Sequence, residues 1–268
     1  MAKSKRSGVQ KYHDRVAHRY DESYDDAFWQ WHDALTWDYL KPHLPRDLSA
    51  TVYDIGCGTG KWGVKLIKSG FCVTFLDISP QMLDRARGKV TRMGALDRAE
   101  FVQADIGDLS ALPSGGAALA VAFGEPICCA KSPPKALRQL RHLLCDGGLL
   151  VGTIDNKLAA VDYYLQRGDP RETSEFLRTG RTHWLTSSAE ERFPLTTYTP
   201  TEFRMLIEKS GFSLTDMVGK TVLPMRHHRQ LLCDSASRRT WARIEKGLSR
   251  DPASIGRASH LQFVARVV

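Results

Sequence analysis

Val52-Tyr53-Asp54-Ile55-Gly56-Cys57-Gly58-Thr59-Gly60 is the stretch of sequence that decides the fold. A mostly apolar run contains one carboxylate, and glycines then follow at alternate positions. Glycine readily adopts positive φ and lets the backbone approach a ligand closely, which suits a loop between a strand and a helix. The stretch therefore predicts the first strand of an α/β sheet, with a ligand-binding turn at its end.

Short β-rich runs alternate with amphipathic helical patterns over residues 51–154, which is typical of a parallel sheet built from βαβ units. Helix signals separate the runs, because several pairs join a capping side chain to a proline at the first helical position. These signals are Ser79-Pro80, Ser132-Pro133 and the capping box Thr199-Pro200-Thr201-Glu202. The predicted strands are Thr51–Ile55, Phe71–Leu76, Glu100–Ala104, Ala117–Phe123 and Leu149–Ile154, followed later by Phe212–Val218 and His260–Val268.

Two segments lie outside this alternation. Residues 9–41 hold three of the six tryptophans, and we interpret residues 1–45 as an N-terminal helical segment, either packed on the domain edge or acting as a lid over the site. Residues 156–198 are polar and too long for a plain connection, so we interpret them as a substrate-facing insertion. Residues 46–268 then form the main domain, of which 224–250 is expected to be helical and basic.

Two other nucleotide-binding loops are weighed against this spacing. A phosphate-binding P-loop needs Gly-x-x-x-x-Gly-Lys-Ser/Thr, but Ile55 stands where its first glycine belongs and Trp62 where its hydroxyl belongs. The frame Gly58-x-Gly60-x-x-Gly63 does match the dinucleotide fingerprint. Asp54 argues against that alternative, because a carboxylate just before the loop suits a cationic amino acid better than a pyrophosphate.

Asp77 ends the second predicted strand, where a carboxylate can accept hydrogen bonds from both hydroxyls of a ribose. Together with Asp54–Gly60, this turn resembles the acidic-x-Gly-x-Gly-x-Gly loop and the ribose-binding turn of class I S-adenosylmethionine-dependent methyltransferases. Residues Phe101–Asp105 are similar to the third strand of that family. Residues Leu137–Val151 are similar to its helix-turn-strand before the fifth strand.

The resemblance implies a Rossmann-like class I fold, with a seven-stranded, mostly parallel sheet and helices on both faces. It also implies S-adenosyl-L-methionine as cofactor and S-adenosyl-L-homocysteine as product. In such a site Asp54 would hold the ammonium group and Asp77 the ribose, while Met82 would flank the adenine and Asp105 would receive its amino group. The full set of predicted cofactor residues is Asp54, Gly56, Cys57, Gly58, Gly60, Asp77, Ile78, Met82, Asp105, Ile106, Phe123 and Gly124.

Residues Phe123–Pro126 follow the fourth predicted strand, where this family places groups that meet the methyl group and the acceptor. They lack the Asn/Asp-Pro-Pro-Tyr/Phe signature of many enzymes that methylate nucleic-acid bases, and Glu125 either contacts the acceptor or caps a helix. Two proton acceptors are predicted: Tyr20, because Tyr20-Asp21 resembles a pair found in small-molecule members, and His183 in the insertion. The alternative for His183 is an exposed loop histidine.

Charge and cysteine content limit the function classes. The formal charge is +8 and the pI about 9.2, but the positive residues are spread along the chain. That spread favours solvated surface over binding of a nucleic acid or an anionic small substrate. The six cysteines include no CxxC pair, so no metal site is predicted, and Cys57 is interpreted as a small apolar filler. With no long apolar stretch and a polar N-terminus, a cytoplasmic protein is expected.

We therefore expect transfer of a methyl group to a heteroatom (O, N or S) of a small molecule, with neither a specific nucleic acid nor a membrane as partner. One alternative is a tRNA or rRNA methyltransferase that uses the basic tail. A second alternative is an S-adenosylmethionine-binding regulator without catalysis, because binding and transfer depend on different residues.

Overall fold

The computed structural model describes residues 6–184 and 192–268, which contain nine strands and eleven α-helices. Within these ranges every helix is too short or too polar to serve as a membrane span. The strands are β1 Thr51–Ile55, β2 Val73–Asp77, β3 Ala99–Gln103, β4 Ala117–Ala122, β5 Leu144–Asp155, β6 Arg181–His183, β7 Pro194–Thr196, β8 Phe212–Lys220 and β9 His260–Val267. The helices are α1 Gly8–Val16, α2 Ala27–Leu40, α3 Lys61–Lys68, α4 Pro80–Arg92, α5 Pro126–Cys129, α6 Pro133–Leu143, α7 Val161–Arg167, α8 Pro170–Thr179, α9 Pro200–Lys209, α10 Ser235–Leu248 and α11 Pro252–Ile255.

Seven strands form one sheet in the order β3-β2-β1-β4-β5-β9-β8. The first five of these run parallel, and β9 pairs antiparallel with both β5 and β8. The predicted seven-stranded, mostly parallel sheet is therefore confirmed. The strand order reverses between β1 and β4, and open α/β sheets bind their ligands at the carboxyl ends of the strands beside such a switch point.

Both faces of the sheet are covered by apolar packing, because side chains alternate along each strand. On one face Val52 packs in a cluster with Leu66 and Phe75 from α3 and β2. On the other, Ile55 belongs to a cluster with Leu140 of α6 and Phe203 of α9. This two-sided core keeps the carboxyl ends of β1, β4 and β5 in fixed relation to one another.

Local helix signals act largely as predicted. The hydroxyl of Ser79 accepts the N–H of Met82 at 3.2 Å, and Thr199 and Glu202 form the complete capping box. Ser132 precedes α6 but its side chain makes no capping hydrogen bond, so the proline at the first helical position begins that helix without it.

Two strands begin two or more residues away from the predicted start. β2 begins at Val73 rather than at Phe71, although Phe71 is buried in the core. β5 begins at Leu144 rather than at Leu149, because the chain stays extended through a Gly-Gly pair, with Gly147 at φ +74° and a register shift against β4. Glycine at positive φ bends this strand instead of ending it.

Helix α2 is an integral part of the fold. Trp31 is 1% exposed and packs with Met225 and Leu232 of the C-terminal segment. The carbonyl of Thr36 accepts a hydrogen bond from Nε2 of Gln262 on β9 at 3.2 Å. The predicted N-terminal segment 1–45 therefore has two parts, since α2 covers the sheet at β9 whereas α1 packs on α4.

The predicted insertion 156–198 contains structure of its own in the described residues. Helices α7 and α8 pack together through Tyr164 and Phe176, whose stacked rings have centroids 4.2 Å apart. The hydroxyl of Tyr164 also lies 2.7 Å from that of Thr182, which connects the helices to the two-stranded sheet of β6 and β7. The expected substrate-facing role of this insertion stays a prediction.

We expect Trp31→Ala to lower the free energy of unfolding by about 3 to 5 kcal/mol, because it removes a fully buried aromatic ring and leaves a cavity between α2 and the C-terminal segment. Urea unfolding followed by circular dichroism measures this change. Leu165→Ala, at a side chain that is 62% exposed, is the control and should change stability by less than about 0.5 kcal/mol. A loss below about 1 kcal/mol for Trp31→Ala would show that α2 packs only loosely.

Candidate active site

The glycine loop after β1 needs its glycines at defined positions. Gly56, Gly58 and Gly60 have φ of +61°, +52° and +82°. A Cβ added at Gly56 would lie 2.7 Å from Cβ of Pro126, and one at Gly60 would lie 2.8 Å from Cβ of Ala86. The loop is therefore pressed against α4 and α5, and its glycines allow the backbone to approach a ligand closely.

Asp54 lies beneath this loop and is 1% exposed. One of its carboxylate oxygens accepts the N–H of Gly63, in the first turn of α3, at 2.7 Å. Burial, opposed by this hydrogen bond and assisted by the charge of Asp77, raises the pKa of Asp54 to about 7. The carboxylate thus fixes α3 relative to β1. Its other oxygen is available for the ammonium contact that the sequence predicts.

Asp77 ties the loop to the next turn. Its two oxygens accept the N–H groups of Gly58 and Ser79, each at 2.8 Å. Burial raises the pKa of Asp77, while the two backbone hydrogen bonds and nearby His13 lower it. The ends of β1 and β2 are therefore joined through one carboxylate at the place where a ribose is predicted.

The other predicted cofactor residues line the same edge of the sheet at different depths. Met82 is fully buried against Val16 and Ala17 of α1, whereas Asp105 is exposed and accepts the N–H of Gly107. Burial raises the pKa of the Cys57 thiol well above its usual value, which agrees with an apolar filler. The remaining residues are Ile78 and Ile106, both half-buried, Phe123, which packs on Trp62, and Gly124, whose N–H donates to Thr153.

The N-terminal segment contacts the glycine loop directly. Asp21 accepts hydrogen bonds from Thr59 at 2.6 Å and from Lys89 at 2.9 Å. The ring of Tyr20 lies 4.0 Å from where a Cβ on Gly58 would stand. Asp14 of α1 accepts a hydrogen bond from the hydroxyl of Ser79 at 2.6 Å. These contacts connect the N-terminal segment to the loop and turn of the predicted cofactor half.

Tyr20 is buried beside Tyr24, and their ring centroids are 4.8 Å apart. Burial raises the pKa of Tyr20 well above its usual value, and the hydrogen bond with Tyr24 and the charge of Glu125 raise it further. The phenol therefore keeps its proton at neutral pH. It can donate a hydrogen bond to a ligand, and the role of proton acceptor predicted for Tyr20 stays a prediction.

A polar cluster that the sequence did not reveal lies at the ends of β4, β5 and β8. Cross-strand pairing aligns Asp155, His260 and Lys220 in one row across β5, β9 and β8, so their side chains share one face of the sheet. Glu125 follows β4 and has φ +58°, and it approaches the row closely enough for Glu125, Asp155 and His260 to bring side-chain atoms within 4.8 Å of one another. Nε2 of His260 is 3.8 Å from Asp155.

Electrostatics of this polar cluster favour neutral side chains. Burial raises the pKa of Asp155 well above its usual value, and Glu125 adds to the rise. Burial lowers the pKa of His260, and the positive charge of Lys220 also lowers it. The positive charge of Lys220 would also repel a cation held by Glu125, Asp155 and His260. These three side chains would in addition have to move closer together to reach metal–ligand distances of about 2 Å.

Helix α2 packs over the polar cluster. The ring of His32 makes an edge contact with that of His260, at 6.1 Å between centroids. Burial lowers the pKa of His32 to about 3, so this histidine stays neutral. Its neighbour Asp33 accepts a hydrogen bond from Lys61 of α3 at 2.7 Å. These residues are missed by sequence reasoning because nothing local in the sequence indicates that α2 meets β9.

His183 lies at the end of β6, paired in register with Pro194, and is exposed. The neighbouring Trp184 stacks on Phe193 at 5.8 Å, and Phe193 contacts Tyr12 of α1 at 5.2 Å. The hairpin of β6 and β7 is therefore joined to α1, while the catalytic role predicted for His183 stays a prediction. The chain between the two strands includes residues outside the described ranges.

We expect the stability of the protein to fall between about pH 4 and pH 7, partly because of Asp54. Its folded pKa of about 7 exceeds an unfolded value of about 3.9, so the unfolded chain loses its proton first and each pH unit costs up to about 1.4 kcal/mol. Asp54→Asn cannot ionise and keeps an acceptor for Gly63. Urea unfolding at pH values between about 5 and 8 should then show a decline smaller by about 2 kcal/mol.

The exposed Asp97 offers the control for this measurement. Asp97→Asn should leave the pH dependence of stability unchanged, because an exposed carboxylate on the surface contributes little to stability. The same slope in Asp54→Asn as in the unmodified protein would mean that Asp54 is ionised in the folded state.

Comparison with known proteins agrees with this geometry. A family model described as a methyltransferase domain matches residues 52–148. Ubiquinone biosynthesis O-methyltransferase of Xylella fastidiosa is 26% identical over 244 residues, covering 82% of this chain and 89% of that protein. The tRNA 5-carboxymethoxyuridine methyltransferase of Escherichia coli O157:H7 is 24% identical and covers 83% of this chain and 85% of that protein.

A solved structure shares the fold. The 1,6-didemethyltoxoflavin-N1-methyltransferase of Burkholderia thailandensis, with 1,6-didemethyltoxoflavin and S-adenosylhomocysteine bound, has a TM-score of 0.60 at 15% identity, covering 97% of this chain and 88% of that chain. The matched domain spans the glycine loop, β1 to β4 and the start of β5, where the two buried carboxylates lie. Residues 52–148 are thus a methyltransferase domain, the fold is the class I, Rossmann-like one, and the cofactor is S-adenosyl-L-methionine.

Proposed function

We propose that this enzyme transfers the methyl group of S-adenosylmethionine to a heteroatom (O, N or S) of a small molecule. The observation that carries the proposal is the enclosure of the polar cluster at the ends of β4, β5 and β8. Helix α2 and the aromatic residues Tyr20 and Tyr24 lie over these strand ends, and His32 contacts His260. A site enclosed in this way admits a small acceptor more readily than a base within a folded RNA.

The residues present fit the cofactor, because the loop brings bare backbone to the edge of the sheet and both carboxylates retain lone pairs. Each oxygen of Asp77 accepts one backbone N–H and can accept a ribose hydroxyl as well. Asp54 would face the ammonium group, and Asp105 with Ile78 and Ile106 would border the adenine. When bound, S-adenosylmethionine supplies an activated methyl group for attack in line.

The chain's own residues then position the acceptor and exclude water. Tyr20, which keeps its proton, would donate a hydrogen bond at the glycine loop. His260 is neutral at physiological pH because burial lowers its pKa, so its ring can accept a proton when the acceptor loses one. Holding nucleophile and methyl group close and aligned supplies most of the acceleration in such a site.

The C-terminal basic segment supports a small acceptor rather than RNA. Several of its cations are engaged within the molecule: Arg229 pairs with Asp26, and Lys246 pairs with Asp38 at 2.7 Å. Arg250 likewise pairs with Asp216. Charges that are neutralised in this way are not available for phosphates, which reduces the electrostatic attraction for nucleic acid.

A second candidate is methylation of tRNA. The printed name of one relative, the tRNA 5-carboxymethoxyuridine methyltransferase, favours it, and exposed arginines such as Arg239 and Arg243 remain on α10. The O-methyltransferase of ubiquinone biosynthesis and the didemethyltoxoflavin enzyme favour the small-molecule proposal. Binding of the cofactor without turnover would be the outcome expected of a regulator.

The substrate class is tested by supplying S-adenosylmethionine with a labelled methyl group to fractions of a cell extract. We expect label in the metabolite fraction and none above background in RNA or protein. The same reaction with Asp77→Ala serves as the control for transfer at this site. Label confined to one RNA, together with submicromolar binding whose affinity falls steeply with salt, would overturn the proposal.

We also expect Asp77→Ala to weaken cofactor binding by about 1.5 to 3 kcal/mol, or about 10- to 150-fold, because a charged acceptor of the ribose hydroxyls is lost and the N–H groups of Gly58 and Ser79 lose their partner. Calorimetry with S-adenosylhomocysteine measures the change, and circular dichroism checks that the variant is folded. The exposed Asp97→Ala should bind as the unmodified protein does. Equal affinity for Asp77→Ala would place the ribose elsewhere.

A further inference from the structure

Lys220 is a buried lysine whose ammonium has no counterion among the described residues. The residue is 5% exposed at the end of β8, and its Nζ makes neither a hydrogen bond nor an ion pair with any residue in the ranges 6–184 and 192–268. Nζ is not one of the described polar atoms that are both fully buried and unpartnered, so the small exposed area includes the ammonium. A buried charge normally has a partner, because loss of its hydration is costly unless another group compensates it.

Lys157 shows what the chain does with a buried lysine that has a structural role. It is 3% exposed, and its Nζ donates to the carbonyl of Leu177 at 3.0 Å and pairs with the carboxylate of Glu202. The two lysines are buried to the same extent, yet only Lys157 is compensated within the described residues. The missing partner of Lys220 therefore points to a group that arrives with a ligand.

Lys220 is held in place by the turn that follows it. Thr221 has φ +59°, a left-handed conformation that is costly for a β-branched residue. The buried carboxylate of Glu245 accepts the N–H groups of Val222 at 2.7 Å and Leu223 at 3.0 Å, and the N–H of Gly219 donates to the carbonyl of Ser249 at 2.9 Å. The backbone of Lys220 is thus fixed by contacts on both sides.

The charged groups around Lys220 leave its own charge uncancelled. Glu125 and Asp33 favour the protonated amine, whereas Lys61 disfavours it. Asp33 is already engaged by Lys61, and Glu125 makes no ion pair with Lys220 within 4.0 Å in the described chain. Burial lowers the pKa of Lys220 to about 8, so the side chain is still mostly cationic at neutral pH.

Its other neighbours can donate hydrogen bonds without adding negative charge. His260 on β9 lies opposite Lys220, and His32 of α2 covers Lys220. Both histidines are neutral because burial lowers their pKa values. Nδ1 of His260 is buried and has no hydrogen-bond partner in the part of the chain that the structure describes. Asp155 is next in the same row, and burial raises its pKa, which favours its neutral, protonated form.

We propose that Lys220, with His260 and His32, forms a subsite for an anionic oxygen group, a carboxylate or a phenolate, on the methyl acceptor. The inference rests on the proposed function and narrows its substrate class to acceptors that carry such a group. Lys220 supplies the charge and the neutral imidazoles supply hydrogen bonds. The row places this subsite on the same sheet edge as Glu125, beside the end of β4.

The test uses benzoate and its neutral isostere benzamide as probes for the full-length protein saturated with S-adenosylhomocysteine. Calorimetry or ligand-observed NMR should find benzoate bound at least about tenfold more tightly than benzamide, as a charge-assisted hydrogen bond predicts. Lys220→Met should reduce the ratio to about threefold or less. This variant is expected to fold, because it replaces an unpaired buried charge with an apolar side chain of similar length.

Lys157→Met is the matched control, since it removes another buried ammonium at a site that is already paired, and it should keep the tenfold preference. A second measurement on the unmodified protein does not depend on any variant. The preference should fall at least about fivefold between pH 7 and pH 9.5, as Lys220 loses its proton while benzoate keeps its charge. Equal binding of the two probes, binding of neither, or a preference that survives Lys220→Met or high pH would overturn the subsite.

These outcomes are separable from those for the proposed function. If labelled methyl enters metabolites while benzoate and benzamide bind equally, the subsite is wrong and the proposed function stands. If the label enters RNA while the benzoate preference and its loss in Lys220→Met are observed, the subsite stands and the small-molecule proposal is wrong.

Discussion

The site depends on two carboxylates that are buried beneath and beside the glycine loop. Asp54 accepts the N–H of Gly63, and Asp77 accepts those of Gly58 and Ser79. These hydrogen bonds fix the ends of β1 and β2 and the start of α3 relative to one another. Burial of the carboxylates is costly, as their raised pKa values indicate. The backbone N–H groups offset part of that cost, and a cationic ligand with ribose hydroxyls would offset more.

Most of the fold is predictable because its signals are local. The alternation of strands and helices, the cap at Ser79 and the capping box at Thr199 all depend on residues within a few positions of one another. The loop around Gly58 and the turn at Asp77 are recognisable for the same reason, since residue type and spacing determine the backbone conformation. The extension of β5 to Leu144 was missed, because Gly147 bends that strand where glycine more often ends one.

The polar cluster is not predictable in this way, because its members are far apart in sequence. His32 and His260 meet only because α2 packs across β9, and the row of Asp155, His260 and Lys220 depends on the register of two antiparallel pairings. No periodicity predicts such a register from a single sequence. The two parts of the N-terminal segment are not distinguished by local sequence for the same reason: α2 is part of the core, while Asp21 connects the preceding turn to Thr59 of the glycine loop. The glycine loop and the helix that covers the polar cluster are therefore connected through one short stretch of chain.

The polar cluster carries a cost that stability alone does not explain. Glu125 and Thr221 are the two non-glycine residues with positive φ in the described part of the chain, and both adjoin this cluster. One follows β4 and the other follows Lys220, so backbone strain and buried ionisable groups coincide at one edge of the sheet. Strain of about 1 to 3 kcal/mol for such a residue persists only where the surrounding structure enforces it. Here the buried carboxylate of Glu245 enforces the turn after Lys220, and Asn156 fixes the approach to His260 by donating to the carbonyls of Gly256 and Ala258. A fold that holds the polar cluster in place despite backbone strain and buried ionisable groups is organised for a ligand that completes the hydrogen bonds of the cluster.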